Sequence, residues 1–255
     1  MTSFSAGGKE EKSLVKMAGV HKWFGKVHAL KGVDFEVRHS EIVGLVGDNG
    51  AGKSTLIKVL SGYHLADKGE INFEGKRVNI SSSLDARKLG IETVYQEQAL
   101  APNMSISRNI FMGRELVRSL GFMDKKAMDG GSMEALKSIG LHLRSPDALI
   151  AMLSGGERQG VAIARVLHFK AKLVILDEPT IALSVKEAQQ VLEFIKQLRR
   201  EGISVIFITH NLYHVFPSAD RFVVLTRGEK IADVEKKDTS IDELAELIVK
   251  PPSHN

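Results

Sequence analysis

Cysteine is absent from this 255-residue chain, which excludes disulfide bridges, thiolate metal ligands and a cysteine nucleophile. Long apolar runs are also missing, since none approaches the ~20 residues that a membrane-spanning helix needs. The polar residues 1–12 lack the apolar core of a secretory signal. We therefore expect a globular, cytoplasmic protein that begins with a flexible tail over residues 1–12.

An excess of one charge is missing as well. Lys and Arg number 35 against 31 Asp and Glu, and the signs alternate along predicted helices, as from Lys196 to Glu201. Nucleic-acid-binding proteins usually gather Lys and Arg into one stripe, so we expect no nucleic-acid partner. Hydrophobic residues, in contrast, make up 43% of the chain, which is enough for a sizeable core.

The pattern of these hydrophobic residues predicts an α/β fold with a mainly parallel core sheet. Almost wholly apolar runs at residues 172–177 and 204–209 are typical of parallel strands that are covered on both faces. Further elements are expected as strands at residues 42–46, 90–95 and 221–225, a crossover helix at about 185–201, and a last helix that starts from a capping box at Ser240 and Glu243.

Two other regions have a different texture. Alternating apolar and polar residues over 14–37, together with a hairpin over 69–78, predict a small antiparallel β lobe. Over residues 104–143 apolar side chains recur at helical spacing, with interruptions at Gly121 and Gly130-Gly131. This pattern predicts a helical lobe inserted into the sheet domain.

A glycine-rich stretch joins the strand at residues 42–46 to a helix that Gly62 is expected to cap. Glycines let the backbone curl so that successive N–H groups converge on a phosphate, and the helix adds the positive end of its dipole. Lys53 is then placed to reach the β- and γ-phosphates, and the Ser54 hydroxyl to bind Mg²⁺. The expected nucleotide contacts are Gly47, Asp48, Asn49, Gly50, Ala51, Gly52, Lys53, Ser54 and Thr55.

Four further stretches accompany this loop. Gln96 follows one strand, Asp177-Glu178 closes a second, His210 follows a third, and Leu-Ser-Gly-Gly-Glu at residues 153–157 precedes a helix. In order and spacing they resemble the Q-loop, Walker B, switch histidine and signature of ABC transporter ATP-binding subunits, with the glycine loop as Walker A. The resemblance implies a P-loop NTPase fold with one ATPase domain over residues 13–250, a helical subdomain inserted at about 97–162 and a C-terminal tail at 251–255.

The chemistry of these side chains suits ATP hydrolysis. Asp177, at the carboxyl end of a buried strand, can hold Mg²⁺, and Glu178 can polarise or deprotonate the attacking water. An amide oxygen such as that of Gln96 can bind Mg²⁺ or the water. A histidine at position 210 can donate to a phosphate oxygen and orient Glu178. The resemblance implies a catalytic set of Glu178, His210, Gln96 and Lys53, and magnesium ligands Ser54, Gln96 and Asp177.

The resemblance also implies an assembly. Ser154, Gly155 and Gly156 look like the start of a helix with bare N–H groups, which is a second anion site. In the family two subunits face head to tail, and the signature of each completes the ATP site of the other. We therefore expect a homodimer around two ATP molecules on the cytoplasmic face of the membrane. Permease subunits would dock near Gln96 and the helical subdomain, and an extracytoplasmic solute-binding protein would act indirectly.

Two aromatic residues compete for the adenine. Phe24 aligns with the aromatic that stacks on adenine in the family, although Trp23 is an alternative, and Val27 is expected near the ribose. After Walker B the family usually has Ser-Ala-Leu-Asp, whereas this chain ends the same stretch with Ser184. That departure puts the aspartate's cross-dimer contact in doubt.

The segment at residues 94–105 and the Ala-Leu-Ser-Val-Lys-Glu stretch at 182–187 look like importers of simple sugars of the ribose and xylose type. The sequence therefore predicts an ATPase that powers import of a small solute, namely a simple sugar, through separate permease subunits. The alternatives are an importer of a non-sugar solute and a soluble ABC ATPase that serves repair or translation. A GTP-dependent switch would need a guanine-reading Asn-Lys-x-Asp run, which the sequence does not contain.

Overall fold

The structure is a computed structural model that describes residues 13–94, 100–180 and 184–249. The predicted tails at 1–12 and 251–255 lie outside the described residues. So do Gln96 and residues 181–183.

Strands and helices alternate along most of the chain. In chain order the strands are β1 (Ser13–Phe24), β2 (Val27–Arg38), β3 (Ile42–Val46), β4 (Lys68–Phe73), β5 (Lys76–Val78), β6 (Ile91–Val94), β7 (Leu173–Asp177), β8 (Ser204–Ile208), β9 (Arg221–Thr226) and β10 (Glu229–Glu235). The α-helices are α1 (Lys53–Leu60), α2 (Ser83–Leu89), α3 (Ile106–Ile110), α4 (Lys125–Ser138), α5 (Gly155–His168), α6 (Val185–Arg200), α7 (Leu212–Val215) and α8 (Ile241–Val249). Short 3₁₀ turns lie at Ser119–Gly121, Ile150–Met152 and Lys236–Asp238.

A six-stranded sheet forms the centre of the molecule, with the order β10-β9-β3-β8-β7-β6. Its strands are parallel except β10, which runs antiparallel to β9. The alternating residues of β3 explain its apolar sequence, because Val43 and Leu45 join one hydrophobic core and Ile42 and Val46 join another on the opposite face. The predicted parallel sheet is confirmed, whereas β10, whose residues are mostly half-buried, was not predicted.

A second sheet, with the order β2-β1-β4-β5, is antiparallel throughout. It shares a hydrophobic core with α1 and with one face of the central sheet. The β4–β5 hairpin turns at Glu74 and Gly75, which both have positive φ, as two-residue hairpin turns of this hand require. The predicted β lobe and its hairpin are confirmed.

Helices α3, α4 and α5 pack around a separate core that contains Ile106, Phe111 and Leu136. The predicted break at Gly130-Gly131 is wrong, because α4 continues through both glycines. A side chain at Gly131 would place its Cβ 3.1 Å from Phe111 Cζ. Glycine at that position therefore permits close contact between α4 and Phe111.

The structure confirms one predicted helix start and shifts one predicted cap. The capping box at Ser240 and Glu243 forms as predicted, since each backbone N–H donates to the other's side chain. Gly62 follows the cap of α1, which is Ser61, and its φ of 72° completes the helix end. Among the described residues no helix is both long enough and apolar enough to span a bilayer.

Candidate nucleotide site

The glycine loop leaves β3 and enters α1 with an open helix start. Gly52, the N-cap, has a φ of 101°, and no side chain caps this end of the helix. Gly47 has a φ of 143°, and a Cβ there would lie 2.1 Å from the Leu225 carbonyl oxygen. Only glycine fits at position 47, and the N–H groups at the start of α1 are left to bind an anion.

Lys53 is the first residue of α1 and its side chain folds back into the loop. Its Nζ donates to the carbonyl oxygens of Gly47 at 2.5 Å and Asp48 at 2.9 Å. Burial lowers the pKa of Lys53, against the opposing charges of Glu178, Asp177 and Asp48. Phosphate oxygens are stronger partners for an ammonium group than neutral carbonyls are, so a bound triphosphate would compete for this lysine.

Asp177 and Glu178 stand where β7 ends. Burial and the neighbouring Glu178 charge raise the pKa of Asp177. Glu178 has a φ of 50°, which is uncommon for a residue with a side chain, and its N–H donates to the Ile208 carbonyl at 2.9 Å. Backbone contact with β8 thus holds Glu178 in a strained conformation that turns its side chain toward the end of that strand.

The carboxylate of Glu178 is bound through both oxygens. Its Oε1 accepts from the His210 backbone N–H at 3.2 Å and lies 2.7 Å from His210 Nδ1, while its Oε2 accepts from the Thr209 hydroxyl at 2.9 Å. When Nδ1 donates to this carboxylate, Nε2 can donate to a phosphate oxygen only in the imidazolium form. His210 therefore links Glu178 to the solvent-facing side of the site.

Sheet order explains why these groups meet. Strands β3, β8 and β7 are neighbours, so their carboxyl ends lie side by side. We call this end of the sheet, where the strands finish, its carboxyl edge. The glycine loop follows β3, Thr209 and His210 follow β8, and Asp177 ends β7. Ligands of doubly wound sheets bind at this edge. Gln96, which was also predicted for the site, lies outside the described residues.

The donor set fits a magnesium ion that arrives with a nucleotide. The Asp177 carboxylate stands at the end of β7, and Ser54 adds an exposed hydroxyl on the first turn of α1. Magnesium commonly takes one or two protein oxygens together with phosphates and waters. The described residues contain no group of three or more His, Asp and Glu placed to hold a metal alone.

The signature residues lie on the helical part of the molecule, at the start of α5. The expectation of bare N–H groups there is wrong for Ser154, which forms a reciprocal pair with Glu157. The Glu157 N–H donates to the Ser154 hydroxyl at 3.3 Å. In return the Ser154 N–H and hydroxyl both donate to Glu157 Oε2 at 2.8 Å. Ser-x-x-Glu forms a capping box. Gly155 and Gly156 follow the serine, and the Gln190 side chain lies against Gly155.

The two candidate aromatics differ in how much ring they leave open. Trp23 stacks on His28 with ring centroids 4.2 Å apart and the planes 10° from parallel. Phe24 is 43% exposed; His64 makes an edge-to-face contact with it, and Lys22 Nζ lies over its ring, 5.6 Å from the centroid. Val27 is also exposed. Phe24 is therefore the more exposed of the two rings, and unlike Trp23 it has no stacked ring partner within the part of the chain that the structure describes.

The β lobe is joined to the glycine loop by a close backbone contact. A Cβ at Gly228, in the turn between β9 and β10, would lie 2.5 Å from the Ala29 carbonyl oxygen of β2, and one at Gly52 would lie 3.0 Å from it. Gly228 also donates to the Ala51 carbonyl and accepts from the Lys31 N–H. We call this contact the glycine junction.

Sequence reasoning missed several polar contacts around the site. Thr209 contacts Glu178, and His214 Nδ1 lies 2.9 Å from the hydroxyl of Thr180, two residues after Glu178. The position of Thr209, between an apolar strand and His210, was a usable signal. The pairing of His214 with Thr180 joins residues 34 apart in sequence, and the sequence pattern does not predict it.

A strand, glycine loop and helix with a buried lysine beside an Asp-Glu pair define a P-loop protein that binds nucleoside triphosphates. The ABC transporter family model matches residues 30–181. The chain is 47% identical to the xylose/arabinose import ATP-binding protein of Sulfolobus acidocaldarius, over 92% of this chain and 93% of that protein. It is 42% identical to the fructose import ATP-binding protein of Rhizobium meliloti, over 91% and 92%.

Solved structures agree. An ATP-binding cassette of an ABC transporter in its ADP conformation superposes with a TM-score of 0.72 at 25% identity, covering 94% of this chain and 96% of that one. The chain belongs to the ABC transporter family, among its ATP-binding subunits. It is an ATPase with the P-loop α/β fold that the sequence predicts.

Proposed function

We propose that this ATPase powers the import of a simple sugar through separate membrane permease subunits. The observation that carries the catalytic part is Glu178, whose carboxylate is oriented by Thr209 and His210 at the carboxyl edge of the sheet, which also holds Lys53. The sugar part is supported by the two relatives, which are ATP-binding proteins for xylose/arabinose import and for fructose import. A sugar importer is therefore favoured over a non-sugar importer and over an ATPase without a transport partner.

Each side chain has a distinct part in the proposed reaction. The loop from Gly47 to Thr55 and the Lys53 ammonium bind the triphosphate, and the exposed ring of Phe24 stacks on adenine with Val27 near the ribose. Ser54 and Asp177, with Gln96, hold Mg²⁺, which when bound neutralises charge on the phosphates.

The reaction itself depends on the residues after β7 and β8. Glu178 accepts the proton of the attacking water, and His210 donates to the γ-phosphate while it holds Glu178. Phosphoryl transfer needs mainly positioning and charge stabilisation, and these two tethered side chains supply both.

The proposed active unit is a homodimer in which Ser154, Gly155 and Gly156 of one subunit face the ATP of the other. The exposed start of α5 supports this arrangement, because it presents an N-capping serine on a helical part whose core is separate from that of the glycine loop. Closure of the dimer on ATP and opening after hydrolysis would drive the permease.

The proposed membrane partners fit the same geometry. Permease subunits would dock near Gln96 and the helical subdomain, on the cytoplasmic face of the membrane, and an extracytoplasmic solute-binding protein would deliver the sugar. Purification of the chain from membranes of its source should recover a multi-span permease, and a sugar-loaded binding protein should stimulate ATP hydrolysis by the reconstituted complex. Recovery without any permease would contradict the transport role.

The catalytic assignment is tested by Glu178→Gln, which keeps the shape of the side chain and removes the base. We expect turnover to fall by roughly 10²- to 10⁴-fold, while ATP binding persists and an ATP-bound dimer accumulates in size-exclusion chromatography. Lys53→Ala should instead lose ATP affinity. The matched control is Glu201→Gln, an exposed carboxylate in the turn that follows α6. Wild-type turnover by Glu178→Gln would remove Glu178 from catalysis.

A further inference from the structure

Thr209 ends the buried stretch that β8 begins, and it is 1% exposed. Its hydroxyl oxygen makes two contacts. It lies 3.1 Å from the backbone nitrogen of Asn211 and 2.9 Å from Glu178 Oε2. A buried polar group that touches the proposed general base is placed to influence it directly.

The direction of both hydrogen bonds follows from the donors available. The Asn211 N–H can only donate, so the Thr209 oxygen accepts there, and its single proton is left for the carboxylate. Asn211 is itself held as the N-cap of α7, because its side chain accepts from the Tyr213 N–H at 3.0 Å. The start of α7 thus aims the threonine proton at Glu178.

The consequence is a carboxylate that cannot rotate freely. Thr209 holds Oε2 and His210 holds Oε1, while the backbone N–H of Glu178 is tied to Ile208. A general base acts efficiently only when it is aligned with the proton that it accepts. Loss of the threonine hydroxyl would leave one carboxylate oxygen without its partner and release the rotation about the last side-chain bond.

We propose that Thr209 is a positioning residue for ATP hydrolysis, whose hydroxyl fixes the orientation of the Glu178 carboxylate. The proposal rests on the catalytic role proposed for Glu178. It assigns Thr209 no contact with the nucleotide, so its loss should affect turnover and leave nucleotide binding unchanged.

Thr209→Val tests this with almost no change in shape, and Thr209→Ser restores the hydroxyl. A hydrogen bond to a charged group justifies an expected fall in kcat of roughly 10- to 100-fold for the valine variant. KM for ATP and the affinity for a fluorescent ATP analogue should stay within about twofold. The serine variant should recover kcat to within about threefold of wild type. Thr209→Ala serves as a second variant if valine impairs folding.

Thr226→Val is the matched control. Thr226 ends β9 at the same carboxyl edge of the sheet, and among the described residues its buried hydroxyl has no hydrogen-bond partner. Its kcat should equal that of the wild type. A similar loss in this control would show that any buried threonine at this edge matters, and it would overturn the proposal.

The double variant Thr209→Val with Glu178→Gln separates the two proposals. If Thr209 acts through Glu178, the valine should cause no further loss once the base has gone. A further loss of tenfold or more in that background, or a serine variant as slow as the valine one, would overturn the role of Thr209. Wild-type turnover by Glu178→Gln alone would instead overturn the role of Glu178.

Discussion

Replacing Arg221 by methionine should destabilise the fold far more than loss of a surface ion pair. Arg221 is 4% exposed at the start of β9. Its Nε and Nη2 donate to the two carboxylate oxygens of Glu41 at 2.7 and 3.1 Å, Nη2 also donates to the Glu36 carbonyl, and Nη1 contacts Asp233. Burial opposes the charge, but the bonds and charges of Glu41 and Asp233 raise the pKa of Arg221. The guanidinium therefore joins β2, β9 and β10.

The expected loss in the free energy of unfolding depends on the Glu41 carboxylate, which stays buried when Arg221 is replaced. Glu41 is 6% exposed, and methionine would remove the buried partner of its charge, leaving the Arg38 backbone N–H at 2.7 Å and the Arg38 guanidinium at 3.8 Å. Breaking a buried pair from one side costs about 3–5 kcal/mol. The Arg199–Asp220 pair, in which the arginine is 50% exposed, should contribute only about 0–1 kcal/mol. Arg199→Met is therefore the matched control.

The assay is equilibrium unfolding in urea, with the free energy of unfolding compared at equal m-values. Arg221→Met should lie at least about 2 kcal/mol below Arg199→Met, as the difference between the two ranges requires. Adding Glu41→Gln to Arg221→Met should recover part of the loss, because it removes a buried charge that has lost its closest partner. Equal stability of the two single variants would refute the reasoning.

Three further predictions concern the helical part. Gly130→Ala should stabilise α4 by about 0.5–1 kcal/mol. Gly131→Ala should stabilise the protein less or destabilise it, because the new Cβ would crowd Phe111. Thermal unfolding of the two variants measures the difference. Burial lowers the pKa of His168, against the charge of Glu134. The folded state then holds that proton less tightly, so stability should fall as pH drops below 6.5, and His168→Gln should flatten this dependence in urea titrations. Glu157→Gln keeps the cap but removes a negative charge from the start of α5, which the proposed dimer places next to ATP. In the Glu178→Gln background the ATP-bound dimer should therefore form at a lower ATP concentration in sedimentation experiments. Dimer formation that needs a higher ATP concentration would contradict the proposed interface.

Local patterns were sufficient for the sheet and the glycine loop. Strands β7 and β8 are apolar because both their faces are buried. A glycine-rich loop between a strand and a helix, with a lysine such as Lys53 at its end, is typical of phosphate binding. The strand β10 escaped prediction because its seven residues include charged side chains and pair at the edge of the sheet.

Features that depend on tertiary packing could not be read in the same way. Glycine weakens an isolated helix, so Gly130 and Gly131 suggested a break, and only the contact with Phe111 shows why α4 tolerates the second one. In the sequence Thr209 looks like one more residue at the end of a strand. Its contact with Glu178 depends on the backbone conformation of Glu178, which the sequence pattern does not predict. The capping box of Ser154, in contrast, follows the Ser-x-x-Glu spacing at residues 154–157, which a sequence pattern can show.

The glycine junction affects the spacing between two of the proposed nucleotide contacts. Ala29 belongs to the strand that follows Phe24, while Gly52 immediately precedes Lys53. The close packing of the Ala29 carbonyl against Gly52 and Gly228 therefore sets the spacing between the Phe24 ring and the Lys53 ammonium. Under the proposed assignments, a nucleoside diphosphate would keep the adenine contact and the β-phosphate contact with Lys53, and would lose only the contacts made to the γ-phosphate.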